Sequence, residues 1–596
     1  MPGEAAEHGG DERGAKRRAE VGVEGGDLAR GVGFLDLLDA HGVAGYQTGA
    51  PLAAGGALWY QESHVRPEHL GRPCARRLAR PGGRARRPRG GHAPPQRLRR
   101  RARSPRGARS RRRRAGARLT ADGRAVSDLA FRPVTELAAL VRAKDVSPVF
   151  LVRAYLERIE RWDGDLHAYV TVCRTRALAE AEQAERAVAR GEPLGPLHGI
   201  PFAVKDQFDT AGEPTTLGSR LLAGRVPSED AAVVARLRAA GGILLGKLNL
   251  TEFALGGTLI YPFGQPRNPW HREHEPGGSS SGSGIAAAAG LAAATLGEDT
   301  GGSIRSPASW CGVVGLRPTW GLVPRTGCFP VAWSMDTPGP ITRTVEDAAL
   351  LLTIIAGPDG RDRHVTRPAP DVLATLRTGV AGLRIGVIRE LTHGSDTAPE
   401  VRGAVLEACR VLARSGAEVE EVSLPLVPLA GAVFMALADS EAAGFHHPWL
   451  RDRGKDYDAG TRRRLLTAAL LPAVLYHRAA RARTAIRAEV LGALERYDLL
   501  AGPAAPRAAP PIAQAQAPIA SKEEAARRFF DRRSYTTPFS LAGAPAIALP
   551  CGATGGGLPI ALQLAGRRFD EATLLRAAWA YEQATPWRAR RPPLAA

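Results

Sequence analysis

The segment from Pro276 to Arg317 constrains the fold more than any other part of the chain. It reads PGGSSSGSGIAAAAGLAAATLGEDTGGSIRSPASWCGVVGLR and holds two clusters of glycine and serine, separated by an alanine-rich run. Glycine lets the backbone turn sharply and brings N–H groups close to a small anion, and serine adds a hydroxyl on a short side chain. The pattern therefore predicts a site at which backbone amides and serine hydroxyls meet a substrate.

Three other interpretations explain less of this segment. A flexible glycine–serine linker would not be followed by an alanine-rich run and the strand-like AATLG. Residues 278–282 also fit the G-x-S-x-G turn of hydrolases, which would make Ser280 the nucleophile, but that turn follows a buried strand and residues 271–276 (HREHEP) do not read as one. A phosphate-binding loop needs a Lys-Ser or Lys-Thr pair, which the cluster lacks.

The whole segment resembles the hallmark of the amidase signature family, which reads GGSS-x-GS, then DTGGSIR, then CGVVGL-x-P with fixed spacing. A distant lysine motif of this family matches residues 200–206 (IPFAVKD). The resemblance covers residues 126–590. It implies an α/β fold in which a large mixed β-sheet is sandwiched by helices, and the alternation of strand and helix patterns along the chain favours the same class.

The resemblance also implies a role for three side chains. Ser303 matches the family's nucleophile, Ser279 its bridging serine and Lys205 its base, and the peptide bond between Gly278 and Ser279 is expected to be cis. An ordinary lysine is protonated at neutral pH, but burial behind the apolar residues 202–204 would lower its pKa. Lys205 could then draw the proton of Ser303 through the Ser279 hydroxyl.

The other motif residues are expected to support this chemistry. Backbone amides of the second cluster should form an oxyanion hole, three side chains should hold the loops, and two aromatic residues should line the substrate pocket, where they would suit an aryl or apolar acyl group. The oxyanion residues are Thr300, Gly301, Gly302 and Ser303, the supporting residues are Ser280, Asp299 and Arg305, and the pocket residues are Phe329 and Trp333.

The leading functional prediction is a cofactor-free amidase, a serine amidohydrolase that cleaves the C–N bond of a small linear amide through an acyl-enzyme. The alternative is the glutaminase subunit of a tRNA-dependent amidotransferase, which shares the Ser-Ser-Lys triad. That subunit carries an acidic residue five positions before the proline of its T-I-P motif, where this chain has Arg533 before Pro538. Residues 472–487 also lack its tyrosine-rich pattern. Both points favour the stand-alone amidase.

The net charge of +21 is concentrated near the N-terminus, where residues 66–118 hold 21 arginines against one acidic residue, Glu68. Such a segment cannot bury enough apolar surface to fold, so residues 1–125 are predicted to be a disordered or artefactual extension of an amidase domain at 126–590. A nucleic-acid-binding tail on a degenerate body is a further interpretation. The arginines, however, lack interleaved aromatic residues on which bases could stack, and the triad is intact.

The chain shows no run of apolar residues long enough to span a bilayer and no apolar core of a secretion signal at its start, so we predict a cytoplasmic protein. Six scattered cysteines without a C-x-x-C pair fit a reducing compartment. His271 and His274 lack the spacing of metal ligands on a helix, so no metal is expected. The predicted partner is a small-molecule amide, without membrane or nucleic acid, and a homodimer is left open.

Overall fold

The structure, a computed structural model, describes residues 129–594, and the predicted N-terminal extension at 1–125 lies outside the described residues. The strands are β1 (Tyr169–Val172), β2 (Pro201–Lys205), β3 (Ile243–Leu248), β4 (Ala294–Glu298), β5 (Val314–Arg317), β6 (Pro338–Thr342), β7 (Arg384–Ile388), β8 (Glu418–Val422), β9 (Leu499–Pro503), β10 (Ala546–Ala553) and β11 (Pro559–Gly566).

The α-helices of the described part are α1 (Val134–Arg142), α2 (Pro148–Leu166), α3 (Arg174–Arg190), α4 (Ala232–Ala239), α5 (Ser281–Ala289), α6 (Arg305–Cys311), α7 (Val345–Ile355), α8 (Val372–Thr375), α9 (Arg389–Thr392), α10 (Pro399–Arg414), α11 (Ala430–Arg453), α12 (Ala459–Ala469), α13 (Ala473–Arg496), α14 (Ile512–Gln516), α15 (Lys522–Phe529), α16 (Thr537–Ala542) and α17 (Glu571–Gln583). Short 3₁₀-helices lie at Arg220–Leu222, Glu252–Ala254, Val427–Leu429, Gly454–Asp456, Asp531–Tyr535 and Trp587–Ala589. No helix between residues 129 and 594 is long and apolar enough to cross a membrane.

The eleven strands form one mixed sheet in the order β1-β3-β2-β4-β6-β5-β10-β11-β9-β7-β8. Parallel pairing joins β3, β2 and β4, and it also joins β9, β7 and β8. The strands between these two groups pair antiparallel, and β1 lies antiparallel to β3 at one edge. The strand–helix–strand unit of β7, α10 and β8 follows the usual crossover between parallel strands.

Hydrophobic cores cover both faces of this sheet. Successive residues of a strand point to opposite faces, and in β9 Leu499 and Ala501 join one core while Leu500 joins the other. The first core packs under helices that include α2, α5, α7, α10 and α17. The second packs under α11, α13 and α16. The structure therefore confirms the predicted α/β class, a large mixed sheet between layers of helices.

One helix begins later than its sequence indicates. Ser228 followed by two acidic residues predicts a helix N-terminus there, but α4 begins only at Ala232. Asp230 has another partner, since its Oδ1 accepts a hydrogen bond from the Ala211 amide at 2.8 Å. The acidic side chain thus fixes a loop instead of entering the first turn of the helix.

Candidate active site

Two neighbouring parallel strands end at the same edge of the sheet and bring a lysine and a glutamate together. β2 ends at Lys205 and β4 ends at Glu298, and Val204 stands opposite Leu296 in the pairing of the two strands. The Lys205 Nζ lies 3.5 Å from the Glu298 Oε2, and neither side chain is exposed. Ligand sites of open α/β sheets lie at such carboxyl ends of parallel strands.

Lys205 also reaches the first serine cluster. Its Nζ donates a buried hydrogen bond to the Ser279 Oγ at 2.8 Å. The peptide bond between Gly278 and Ser279 is cis, as the family resemblance implies. Ser280 lies directly before α5, and its hydroxyl donates to the Glu298 carbonyl oxygen at 3.2 Å. The fold thus places the predicted base and the predicted bridging serine in direct contact, with Ser280 tying the turn to β4.

The second cluster forms a tight loop around the Asp299 carboxylate. Asp299 accepts hydrogen bonds from the Gly302 amide at 2.6 Å and from the Ile304 amide at 3.1 Å. Arg305 closes the loop through its Nε and Nη2, each 3.0 Å from an oxygen of Asp299, so the two supporting residues form an ion pair. Burial alone would raise the pKa of the Asp299 carboxyl, but Arg305 and Arg317 hold that pKa well below its usual range.

Ser303 lies half-buried on this loop. Its carbonyl oxygen accepts a hydrogen bond from the Ser280 amide at 3.3 Å, which joins the two serine clusters. The glycines beside Ser303 are required by packing, because a Cβ on Gly301 would clash with the Phe434 ring. Gly302 has a φ of +125°, which disfavours any larger residue at that position.

The amides predicted to form the oxyanion hole fall into two groups. The Gly302 N–H donates a hydrogen bond to the Asp299 carboxylate at 2.6 Å, and its role as a donor to an oxyanion stays a prediction. Within residues 129–594 the amides of Thr300, Gly301 and Ser303 make no hydrogen bond. These three amides also stay predicted donors to an oxyanion.

We expect Asp299→Ala to destabilise the fold strongly. The change leaves the Arg305 guanidinium, which has no exposed surface, without its carboxylate partner, and breaking a buried ion pair in this way costs about 3–5 kcal/mol. Chemical denaturation would measure the loss as a lower free energy of unfolding. Asp452→Ala is the matched control, because Asp452 pairs with Arg451 on the surface, where ion pairs contribute little. Equal losses in both variants would contradict the expectation.

The two predicted pocket residues lie in different surroundings. The carbonyl oxygen of Phe329 accepts a hydrogen bond at 2.6 Å from Gln207, which lies two residues after Lys205, and the Phe329 ring stacks on Trp449. Trp333 is 48% exposed, and its ring centroid lies 5.6 Å from that of His364. Phe329 is thus held near the predicted base, whereas Trp333 faces solvent. The substrate contacts of both stay predictions.

The histidine pair of the upstream loop shows no arrangement of a metal centre. The rings of His271 and His274 meet edge to face, with centroids 4.2 Å apart. In the described part of the chain, no group of three or more His, Cys, Asp or Glu side chains is placed to hold an ion. The cofactor-free reaction stays a prediction that this geometry does not test.

Two acidic residues of this site were missed by the sequence patterns. Glu298 and Asp336 are buried on either side of Thr300, whose Oγ1 lies 3.0 Å from the Glu298 Oε1 and 2.7 Å from the Asp336 Oδ1. Burial raises the pKa of both carboxyl groups, that of Glu298 to about 7. Burial also lowers the pKa of Lys205. The signal in the sequence was a glutamate at the end of the otherwise uncharged strand ATLGE.

Comparison with known proteins shows relatives that span the same fold. A glutamyl-tRNA(Gln) amidotransferase subunit from Moorella thermoacetica is 43% identical over 493 residues, which cover 78% of this chain and 99% of that protein. The native peptide amidase of Stenotrophomonas maltophilia is 33% identical with a TM-score of 0.66, over 77% of this chain and 98% of that one. A third relative is a chain from a vestigial protein complex that is described as revealing the evolutionary origins of an s-triazine catabolic enzyme. It is 34% identical with a TM-score of 0.70, and the match covers 76% of this chain and 98% of that one.

These relatives overturn the prediction about partners. That prediction named a small-molecule amide and left open only a homodimer. The curated relatives are each named as one subunit of an amidotransferase, and one solved relative was described within a protein complex. The prediction is wrong, because relatives named as subunits of an amidotransferase imply protein partners and not only a small-molecule substrate.

The family assignment rests on the length of the match as well as on the motifs. The family model described as Amidase matches residues 150–575, which include both serine clusters and the lysine motif. Solved relatives with the same sheet include a bacterial aryl acylamidase of the amidase signature enzymes. This chain therefore belongs to the amidase (amidase signature) family.

Proposed function

We propose that this chain is the amide-hydrolysing subunit of a larger enzyme and that it cleaves the side-chain amide of glutamine. The curated relatives favour this function over the stand-alone amidase, because a protein 43% identical is named as one subunit of glutamyl-tRNA(Gln) amidotransferase. The observation that carries the chemistry is the buried hydrogen bond of 2.8 Å between Lys205 and Ser279. It supports a proton relay from Ser303 through Ser279 to Lys205.

The relay accounts for each step of amide hydrolysis. The neutral amine of Lys205 takes the hydroxyl proton of Ser279, which takes that of Ser303 as the Ser303 oxygen attacks the amide carbon. Three backbone amides of the loop hold the negative oxygen of the tetrahedral intermediate. The C–N bond breaks as the relay returns the proton to the leaving nitrogen, which departs as ammonia. Water then attacks the acyl-enzyme in the same way and releases the acid.

The direct test is the release of ammonia from glutamine by the full chain purified with its partner subunits. We expect release from glutamine that depends on Ser303, measured against a Ser303→Ala preparation as the blank. The same preparation is offered benzamide and pentanamide, which present an aryl and an apolar acyl group. Rapid hydrolysis of these amides without release from glutamine would contradict the proposed substrate while leaving the relay intact.

A second candidate substrate is a carboxylate-bearing amide without an amino group, and a pair of arginines favours it. A Cβ on Gly256 would lie 3.7 Å from the Arg464 Nη1 and 4.0 Å from the Arg533 Nη2, so the two guanidinium groups flank one point. Arg464 is bound through its Nη2 to Asp439 at 2.6 Å. Burial, together with the neighbouring charge of Arg464, holds the pKa of Arg533 well below its usual range.

Residues next to this arginine pair, or next to its contacts, pack on the loop that carries Ser303. The Arg464 Nη2 contacts the sulfur of Met435 at 3.5 Å, and the preceding residue, Phe434, packs against Gly301. Arg533 lies three residues before Thr536, whose hydroxyl donates to the Gly301 carbonyl oxygen at 2.7 Å. A carboxylate on the acyl group could therefore accept hydrogen bonds from these guanidinium groups.

Arg533→Gln should raise the KM for glutaramate, the analogue of glutamine without its amino group, by about tenfold or more, since a hydrogen bond to a charged group contributes about 1.5–3 kcal/mol. The KM for pentanamide should stay unchanged, because it carries no carboxylate. Arg527→Gln removes the same charge from an exposed position of α15 and serves as the control. A native chain that uses glutamine better than glutaramate would rule out the second candidate.

A further inference from the structure

A buried pair of ionisable groups, Lys205 and Glu298, lies at the centre of the site, and its atoms are farther apart than those of the other buried lysine–carboxylate pair in the described residues. The Lys205 Nζ lies 3.5 Å from the Glu298 Oε2. The other fully buried lysine with a carboxylate partner, Lys247, lies 3.0 Å from the Asp206 Oδ1. Within the described residues neither the Glu298 Oε2 nor the Asp206 Oδ1 accepts a hydrogen bond, so the two pairs differ in their N–O separation. Charge-assisted hydrogen bonds are shorter than the Lys205–Glu298 separation, at about 2.7–2.9 Å.

The hydroxyl of Thr300 indicates where a proton lies. Its oxygen is 3.0 Å from the Glu298 Oε1 and 2.7 Å from the Asp336 Oδ1. A hydroxyl has one proton and can donate only one hydrogen bond. If Glu298 and Asp336 were both ionised, one of the two contacts would therefore join the Thr300 oxygen to a carboxylate oxygen with no proton between them. A proton on Glu298 turns that contact into a donation to Thr300, which then donates to Asp336.

Asp336 is the better placed of the two carboxyl groups to keep its negative charge. Its oxygens accept hydrogen bonds from the backbone amides of Val331 at 2.9 Å and of Ala332 at 3.0 and 3.1 Å. Such amide donors stabilise the ionised form of a carboxyl group. Glu298 has no such amide donors within residues 129–594. The proton shared in this cluster therefore belongs on Glu298.

The charges around the pair indicate how many protons Lys205 and Glu298 share. The other titratable groups that face it are Asp299, Asp336, Arg317 and Cys328. Arg305 and Arg317 balance Asp299 and Asp336, and burial raises the pKa of the Cys328 thiol, which keeps it neutral. A buried site with these charges balanced favours an electrically neutral Lys205–Glu298 pair. Such a pair holds either an ammonium with a carboxylate or an amine with a carboxylic acid.

We propose that Glu298 is a positioning residue that carries the proton of this pair as a neutral carboxylic acid and so leaves Lys205 as a neutral amine. Compared with the ion pair, one N–H bond of the ammonium is replaced by one O–H bond on Glu298, with no change in the charge of the pair. The inference rests on the proposed relay, because only the neutral amine can accept the proton of Ser279. An ionised Glu298 would instead hold Lys205 as an ammonium.

The test measures the pH dependence of the labelling of Ser303 by a fluorophosphonate in the full chain. Glu298→Gln mimics the neutral acid, so we expect the decline of its labelling rate on the acid side to fall at the same pH as in the native chain. Asp336→Asn removes a charge that raises the pKa of Glu298. Glu298 then ionises, and Lys205 stays an ammonium to higher pH. The acid limb, which is the fall of the labelling rate towards low pH, should therefore move to a pH about one unit higher.

The double variant Glu298→Gln/Asp336→Asn separates this effect from a structural one. Without a titrating group at position 298, the shift caused by Asp336→Asn should disappear. Asp347→Asn changes another fully buried carboxyl group, on α7, and should leave the acid limb in place. A shift that persists in the double variant, or a Glu298→Gln profile moved to lower pH, would overturn the proposal, because the second result is that of an ionised Glu298.

An infrared measurement keeps the proposal testable even if Asp336→Asn fails to fold or the serine proves unreactive. At neutral pH the native chain should show the carbonyl stretch of a buried protonated carboxylic acid that disappears in Glu298→Gln. Its absence from the native spectrum would refute the assignment of the proton. This measurement does not depend on catalysis. A native chain that shows the band but no labelling of Ser303 would contradict the proposed relay and leave the assignment of the proton to Glu298 intact.

Discussion

Ser303→Ala should abolish formation of the acyl-enzyme and lower kcat by about 10⁶-fold, the loss observed when the nucleophile of a serine hydrolase is removed. Folding should be unaffected, because Ser303 lies half-buried and its side chain makes no hydrogen bond within the described residues. The measurement is ammonia release, combined with fluorophosphonate labelling and mass analysis of the labelled peptide. Ser306→Ala, in the first turn of α6, is the neighbouring control and should keep its activity.

Labelling of Ser280 in place of Ser303 would revive the G-x-S-x-G interpretation. The geometry argues against that outcome. Ser280 has no exposed surface, and its hydroxyl donates to the Glu298 carbonyl oxygen at 3.2 Å. In the structure residues 271–276 lie in no strand, although the strand before the nucleophile is what defines that turn. A Ser303→Ala variant that kept most of its amide hydrolysis would also contradict the assignment.

The features that the sequence predicted correctly are those encoded by residues close together in the chain. The family resemblance carried by the two serine clusters implied the cis bond before Ser279, and the structure contains it. Alternating strand and helix patterns indicated the α/β class, and the family resemblance implied the mixed sheet between helices, which the structure also contains.

The features that the sequence did not predict depend on which strands become neighbours. Glu298 meets Lys205, 93 positions earlier, only because β2 and β4 pair in parallel. The hydrogen bond from the Gly302 amide to Asp299 was not predicted either, because no pattern of residue types specifies that side-chain partner. The stand-alone amidase was favoured on Arg533 and one short segment, and identity of 43% over 493 residues outweighs such local evidence.

Lys205→Met should lower kcat by about 10²–10⁴-fold at neutral pH, the usual contribution of a general base. Methionine matches the length of the buried side chain, and a protonated Glu298 beside it would leave no unpaired charge, so the variant should fold. Thermal unfolding measures the fold, and ammonia release measures the loss of activity. Ser279→Ala should lose less than Lys205→Met, because a water molecule can replace part of a bridging hydroxyl.

The double variant Lys205→Met/Ser279→Ala decides whether the two residues form one relay. In the structure the Ser279 hydroxyl accepts its hydrogen bond from Lys205 at 2.8 Å, so without Lys205 the hydroxyl has no base to which it can pass a proton. Residues that act as a unit show losses that are far from additive. The double variant should therefore be little slower than Lys205→Met alone. Losses in kcat that multiply would mean that Ser279 and Lys205 act independently, and the relay would be wrong.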